Sequence, residues 1–187
     1  IDFPGESPGI LPQWSGSTIG NVPIGQGIAV TGLQMAAAYA AIANGGVLRR
    51  PYLVARSGGK PTKLPAGRRL ISEGVSSQMM AMLRGVVDAE GGTGTAAAVP
   101  GYTVAGKTGT AAKPVAGGYS TTGYVASFVG IVPAKDPRMV VLVSIDEPKG
   151  NIYGGVVAAP AFAEIARRAL VELEVAPDAT PGAATTR

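Results

Sequence analysis

Residues 106–110 read Gly-Lys-Thr-Gly-Thr, inside the stretch Tyr102-Thr-Val-Ala-Gly-Lys-Thr-Gly-Thr-Ala111. Two incompatible folds accommodate that run. Gly101 to Thr108 satisfies the phosphate-loop pattern of a glycine, four residues and Gly-Lys-Thr. A phosphate loop must follow a buried parallel strand and open a helix, whose N-terminal amides and dipole hold the phosphates. The alternative is a β-strand that runs through Lys107 and carries lysine and threonine side chains along the border of a cleft.

The flanks favour the strand. Residues 91–100 read Gly-Gly-Thr-Gly-Thr-Ala-Ala-Ala-Val-Pro, a loop. Residues 109–123 contain Gly109, Pro114, Gly117, Gly118 and Gly123, and no helix survives that density of breakers. Tyr102-Thr103-Val104 are strand formers where an amide cradle needs small residues. In favour of the nucleotide reading, Val140 to Glu147 is an apolar run that ends in Asp146-Glu147. On a strand, Lys107 supplies a fixed positive potential for an anionic substrate group, and Gly109 has no Cβ to obstruct a backbone laid alongside.

Composition removes several chemistries. The 187 residues include no His and no Cys, so a Ser-His-Asp triad, a thiol nucleophile, a disulfide framework and a His- or Cys-ligated metal are all excluded. Any general base must be Lys, Asp, Glu or Tyr. The net charge is +4, and its bases occur as separate pairs (Arg49-Arg50, Arg68-Arg69, Arg167-Arg168). A nucleic-acid surface needs them on one face, so none is expected. The 46% hydrophobic content supports a core, while 28 Gly and 15 Pro imply many turns. No run approaches the roughly twenty apolar residues of a membrane span. The start at Ile1, without Met or leader, predicts a piece of a longer protein.

Along the chain, residues 1–30 read as loop. Thr31 caps a predicted helix to Ala43, and Asn44-Gly45-Gly46 ends it. Val47 to Ala55 reads as a strand with Pro51 at an edge or bend, and 57–67 as a turn-rich linker. Ser72 caps a second helix over about 73–90, with Val75, Met79, Met82, Leu83, Val86 and Val87 at helical spacing as core. Strands follow at 102–111, 125–132 and 138–145. Asp136-Pro137 joins the last two as a hairpin, and the third, nearly all apolar, reads as buried on both sides. A last helix spans Gly155 to Leu173, with Phe162, Ile165, Ala169 and Leu170 on its packing side. Residues 176–187 are too polar and too rich in Pro and Gly to pack.

Five segments occur in one collinear order: Ile1-Asp-Phe-Pro-Gly-Glu6; Ile24-Gly-Gln-Gly-Ile-Ala-Val-Thr31 continuing to Asn44-Gly-Gly; Gly94-Thr-Ala with Pro100 to Ala111; Ala126-Ser-Phe-Val-Gly-Ile-Val-Pro-Ala134; and Asp146-Glu-Pro with Tyr153-Gly-Gly-Val-Val-Ala-Ala-Pro160. Together they resemble the class B penicillin-binding proteins, with the last segment most similar to the septal, cell-division branch. The resemblance covers residues 1–175. It implies an α+β fold, in which an antiparallel sheet of the penicillin-binding-protein and serine β-lactamase type has helices packed against it. It implies a serine D,D-transpeptidase that cross-links peptidoglycan stem peptides and is acylated by β-lactams, with no cofactor and no metal. By the same resemblance Lys107, Thr108, Gly109 and Thr110 bind substrate, with Lys107, Thr108 and Thr110 in the catalytic machinery and the Thr110 backbone N–H in the oxyanion hole. The implied setting is the outer face of the cytoplasmic membrane. There the protein is anchored by a segment upstream of Ile1 and partnered by its own N-terminal part and by membrane proteins of the division machinery.

The sequence also departs from that pattern. The family's Ser-x-x-Lys nucleophile motif and its Ser-x-Asn motif precede the Lys-Thr-Gly strand. No Ser-x-Asn occurs here. Ser57-Gly-Gly-Lys60 matches Ser-x-x-Lys in letters, but its glycines and Pro61 cannot form the helical turn that would bring Lys beside Ser. Gly5-Glu-Ser7-Pro-Gly9 imitates a nucleophile elbow without a histidine to serve it. The expectation is the C-terminal part of a transpeptidase domain, without its nucleophile and inactive alone. Two other readings are a penicillin-recognising hydrolase (a carboxypeptidase or β-lactamase) and a phosphate-loop protein.

Overall fold

A computed structural model describes residues 5–11, 13–16 and 18–179. The chain divides into two compact units, Ile1–Ser77 and Gln78–Arg187. The fold is α+β. No helix among the described residues is long and apolar enough to cross a membrane.

The first unit is held by short elements. A single-turn helix α1 (Thr18–Asn21) leads through a 3-10 turn at Val22–Ile24 to α2 (Gly32–Ala43). Thr31 caps α2 as expected, and more fully than expected. Its hydroxyl accepts from Gln34 N–H at 3.1 Å, while the Gln34 side chain accepts from Thr31 N–H at 2.9 Å. This reciprocal box satisfies two otherwise unpaired helix-end donors. The strand expected over Val47–Ala55 shrinks to β1 (Val47–Leu48), paired antiparallel with β4 (Arg68–Arg69). Pro51 lacks the N–H a ladder requires, so pairing stops before it. Between them β2 (Arg56–Ser57) and β3 (Lys60–Pro61) form a small hairpin inside the expected linker, turning on Gly58 and Gly59 at φ +56 and +78. Both angles suit a two-residue primed turn that glycine adopts at no steric cost.

Helix α3 (Glu73–Asp88) begins at the Ser72 cap, whose hydroxyl accepts from Val75 N–H at 3.2 Å. Leu83 and Val87 are buried as expected, but Met82 is 67% exposed and Val75 43% exposed. The helical repeat was right and the packing stripe narrower than the apolar pattern suggested.

The second unit is built on a three-stranded antiparallel sheet in the order β5 (Ala105–Val115), β6 (Gly118–Val132), β7 (Met139–Asp146). Its three strands, and the hairpin around Asp136, are those expected from sequence. β5 and β6 run further toward one another than expected, closing a tight turn at Val115–Gly118 with a register shift between Ala112 and Pro114. β7 is an edge strand of intermediate burial, not a doubly buried one. The buried centre is β6, where Phe128, Ile131 and Val132 have essentially no exposure.

The last helix divides into α4 (Gly154–Val157) and α5 (Ala159–Glu172). α5 packs Ala159, Phe162, Ala166 and Leu170 inward, while Ile165 is 47% exposed. The stripe therefore runs through Ala166, not through the larger Ile165. Phe162 meets Phe128 with ring centroids 5.0 Å apart and planes tilted by 58°, a geometry favoured by aromatic quadrupoles. Gly130 lies directly beneath the Phe162 ring, where a Cβ would collide.

Residues 176–179 correct the expected unpacked tail. The Asp178 carboxylate accepts from Thr103 N–H at 2.7 Å and from the Thr103 hydroxyl, and Lys135 Nζ donates to the Asp178 carbonyl at 2.9 Å. Proline and small residues pack here because backbone groups of Gly101 and a carboxylate supply the hydrogen bonds. Residues 180–187 of the tail and 1–4 of the first resembling segment lie outside the described residues.

Candidate active site on the Lys-Thr-Gly strand

β5 passes straight through residues 107–110, and no helix begins at Thr108. That removes the phosphate loop, which cannot exist without a helix N-terminus at its glycine-lysine corner. The acidic pair Asp146 and Glu147 has another role. Lys113 Nζ lies 2.9 Å from Asp146 Oδ1 and 2.9 Å from Glu147 Oε1, bridging from β5 to the end of β7. Hydrogen bonds to these two carboxylates, Asp146 foremost, raise the Lys113 pKa.

Among the described strands β5 pairs only with β6, so its other edge has no strand partner. The register is unbroken across the site: Lys107 opposite Val129, Thr108 opposite Phe128, Gly109 opposite Ser127, Thr110 opposite Ala126. Strand alternation then puts Lys107 and Gly109 on one face and Thr108 and Thr110 on the other.

Each face has a distinct neighbour. On the threonine face lies α4. Gly154 N–H donates to Thr110 Oγ1 at 3.2 Å. A Cβ on Gly154 would run into the carbonyls of Gly109 and Ser127, and one on Gly155 into the Thr93 carbonyl. Two successive glycines are what allow this helix start to lie flat on the strand. Thr93, in the turn after α3, completes the face: its Oγ1 is 3.0 Å from Thr108 Oγ1. On the opposite face the Ser127 hydroxyl occupies the space left by the missing Gly109 side chain.

Lys107 is exposed, and its Nζ donates to the Thr108 carbonyl at 3.0 Å. The side chain thus bends along the strand, and no carboxylate pairs with it among the described residues. An unneutralised ammonium thus comes to the unpartnered strand edge from one face, and two threonine hydroxyls line the other. The arrangement suits an extended chain bearing an anionic group: the edge offers backbone hydrogen bonds and the ammonium a countercharge.

The sequence singled out Lys107, Thr108, Gly109 and Thr110, and the fold keeps all four on one strand. It did not single out Thr93, Ser127, Gly154 or Gly155 as site neighbours. The Gly154-Gly155 pair was the available signal, since adjacent glycines at a helix start mark a close backbone approach. The two imitation motifs take the forms their glycines dictate. Ser57 and Lys60 face each other across the exposed β2–β3 hairpin, and the Ser7 hydroxyl accepts from Gly9 N–H at 3.2 Å in a local turn.

Residues 1–167 match the penicillin binding protein transpeptidase domain. The chain is 42% identical to penicillin-binding protein PbpB of Mycolicibacterium smegmatis over 97% of its own length, and 43% identical to stage V sporulation protein D of Bacillus subtilis over 95%. It spans 31% and 29% of those two relatives. Among solved structures it is similar to the transpeptidase domain of Burkholderia pseudomallei penicillin-binding protein 3, with a TM-score of 0.84 and 39% identity over 96% of this chain and 54% of that one. Penicillin-binding protein 3 of Mycobacterium tuberculosis in complex with ampicillin gives the same TM-score and identity, over 96% of this chain and 43% of that one. The chain belongs to the transpeptidase-domain family of the class B penicillin-binding proteins.

Proposed function

We propose that this chain is the substrate-binding, C-terminal portion of a serine D,D-transpeptidase that cross-links peptidoglycan stem peptides during cell division and is acylated by β-lactams. The observation that carries the reading is the free edge of β5, with the Lys107 ammonium lying along it and the Thr108 and Thr110 hydroxyls beside it. A stem peptide is an extended chain ending in a carboxylate, which is the ligand such an edge accommodates. Lys107 and the two threonine hydroxyls hold that carboxylate, and the Thr110 N–H stabilises the oxyanion formed when a serine attacks the penultimate carbonyl. A relative from Neisseria gonorrhoeae named probable peptidoglycan D,D-transpeptidase PenA, 40% identical over 94% of this chain, favours cross-linking over simple hydrolysis.

The attacking serine and its lysine come from sequence upstream of Ile1, on the same domain, in a protein anchored at the outer face of the cytoplasmic membrane. Exposed Leu11, Trp14, Ile19 and Ile24 in the first unit support a further covering by that upstream part. The domain portion proposed here runs from residue 1 to about 175, with residues 176–179 clasped onto it through Asp178, and division-machinery membrane proteins are the expected partners.

The test is acylation by a fluorescent penicillin, followed by mass spectrometry. The full-length protein takes one covalent adduct on an upstream serine, and the chain of 187 residues alone takes none. An adduct on Ser57 or Ser7 of the isolated chain would overturn the assignment of the nucleophile. A full-length protein that is never acylated would overturn the function.

A further inference from the structure

Both threonine hydroxyls on the working strand have a partner from outside it. Thr110 Oγ1 accepts from Gly154 N–H at 3.2 Å. A hydroxyl has one proton and two acceptor lone pairs. The amide occupies a lone pair, so the Thr110 proton remains to be donated, and it has no acceptor among the described residues. Thr108 Oγ1 stands 3.0 Å from Thr93 Oγ1, a contact in which either hydroxyl can be the donor. When Thr93 donates, the Thr108 proton is likewise released for an outside acceptor.

We propose that Thr93 and Gly154 are positioning residues, forming two parallel donor relays, Thr93 O–H to Thr108 O–H and Gly154 N–H to Thr110 O–H, that point both protons at one ligand carboxylate. The inference rests on the proposed function and names what specifies the anion. Thr108 and Thr110 lie two residues apart on one face, about 7 Å along the strand, a separation that one carboxylate with its two oxygens can bridge. Each hydroxyl that already accepts a hydrogen bond becomes a better donor, so the relays strengthen the grip on an anion beyond that of two isolated hydroxyls. Neither positioning group touches the ligand. Gly154 is fixed in place because its missing Cβ lets the first turn of α4 press against the carbonyls of Gly109 and Ser127. Thr93 is fixed from the other side, with its own carbonyl against Gly155.

The relay makes a prediction that a purely structural role does not. It concerns the ligand's charge, not its size. In the full-length protein, acylation rates are compared for a penicillin and for its methyl ester, which lacks the carboxylate anion. Wild type discriminates in favour of the free acid. Thr93→Val, which keeps the side-chain shape but removes the donor, reduces that discrimination about threefold, the scale of one hydrogen bond between neutral groups. Thr93→Ser, which keeps the hydroxyl, restores it. Gly154→Ala lifts α4 from the strand and reduces the discrimination as well, and Thr93→Ala serves as a second hydroxyl deletion should the valine variant fold poorly. Loss of rate on acid and ester alike, with the ratio unchanged in both Thr93 deletions, would make Thr93 a packing residue and overturn the relay. Absence of acylation in wild type would instead overturn the function on which the relay stands.

Discussion

The Ser127 hydroxyl on β6 fills the space that a Cβ on Gly109 would occupy on β5. The sequence suggested that Gly109 is bare so that a substrate can approach. Its side-chain position is already taken from behind, and the requirement for glycine is set first by the neighbouring strand. A steric relation of this kind is testable by paired substitution.

Gly109→Ala forces the methyl group against Ser127 Oγ and pushes the two strands or the serine rotamer aside. A cost of about 1–3 kcal/mol is expected for such overpacking. Ser127→Ala removes the hydroxyl, and the double variant Gly109→Ala/Ser127→Ala recovers most of the loss. Denaturation midpoints of the four proteins measure this directly. A double variant as unstable as Gly109→Ala alone would show that the clash lies elsewhere.

The Asp178 clasp gives a second prediction. Thr103 lies two residues before the working strand, and both its N–H and its hydroxyl donate to the Asp178 carboxylate. The Thr103 hydroxyl in turn accepts from Ala134 N–H at 3.0 Å and Lys135 N–H at 3.2 Å. Asp178→Ala leaves a part-buried donor unpaired, at a cost of about 1–3 kcal/mol. Hydrogen exchange at the Thr103 amide should accelerate about tenfold or more, following local opening of the segment. An unchanged exchange rate would mean that the clasp does not hold the strand.

Acid dependence follows from α5. Arg167, then Arg168, hold the Glu164 carboxyl down at about 2, from an ordinary value of 4.5. A depressed folded-state value means that the ionised carboxylate stabilises the fold above pH 4.5 and that this contribution is lost as the pH falls toward 2. All three groups face solvent, so the effect is small and screened by salt. Melting temperatures of wild type and Glu164→Gln should differ slightly at neutral pH and converge between pH 4.5 and 2. A gap that widens with acid would contradict the assignment.

Much of this architecture is legible in the sequence, because local signals and tertiary demands agree. Thr31, Asn44-Gly45-Gly46, Ser72 and the Asp136-Pro137 corner each fix an element boundary through a specific capping or turn chemistry. The strand through Lys107 is readable because its flanks forbid a helix. What was missed depends on contacts between distant residues. Lys113 to Val115 and Gly118 to Tyr124 look like turn sequence, yet they extend the hairpin through β5–β6 backbone pairing, beside an ion pair from Lys113 to Asp146 and Glu147, thirty-three and thirty-four residues on. Ala166 is buried and the larger Ile165 exposed because α5 faces the Phe128 side of the sheet, a choice that apolar periodicity alone does not fix. Thr93 and Gly154 join the site across fifteen and forty-four residues of chain, with no local pattern linking them.

The central claim is that Lys107 supplies the positioned charge for a carboxylate at the β5 edge. Lys107 is exposed and has no ion-pair partner among the described residues, so Lys107→Ala should leave the fold intact, as circular dichroism would verify. The direct measurement is the rate of penicillin acylation of the full-length wild type and of its Lys107→Ala variant under identical conditions. The account predicts that the variant slows on the order of a hundredfold or more, the loss expected when a preorganised charge is removed from the binding site of a developing or bound anion. Equal rates would contradict it and reduce Lys107 to a solvated residue on a structural strand.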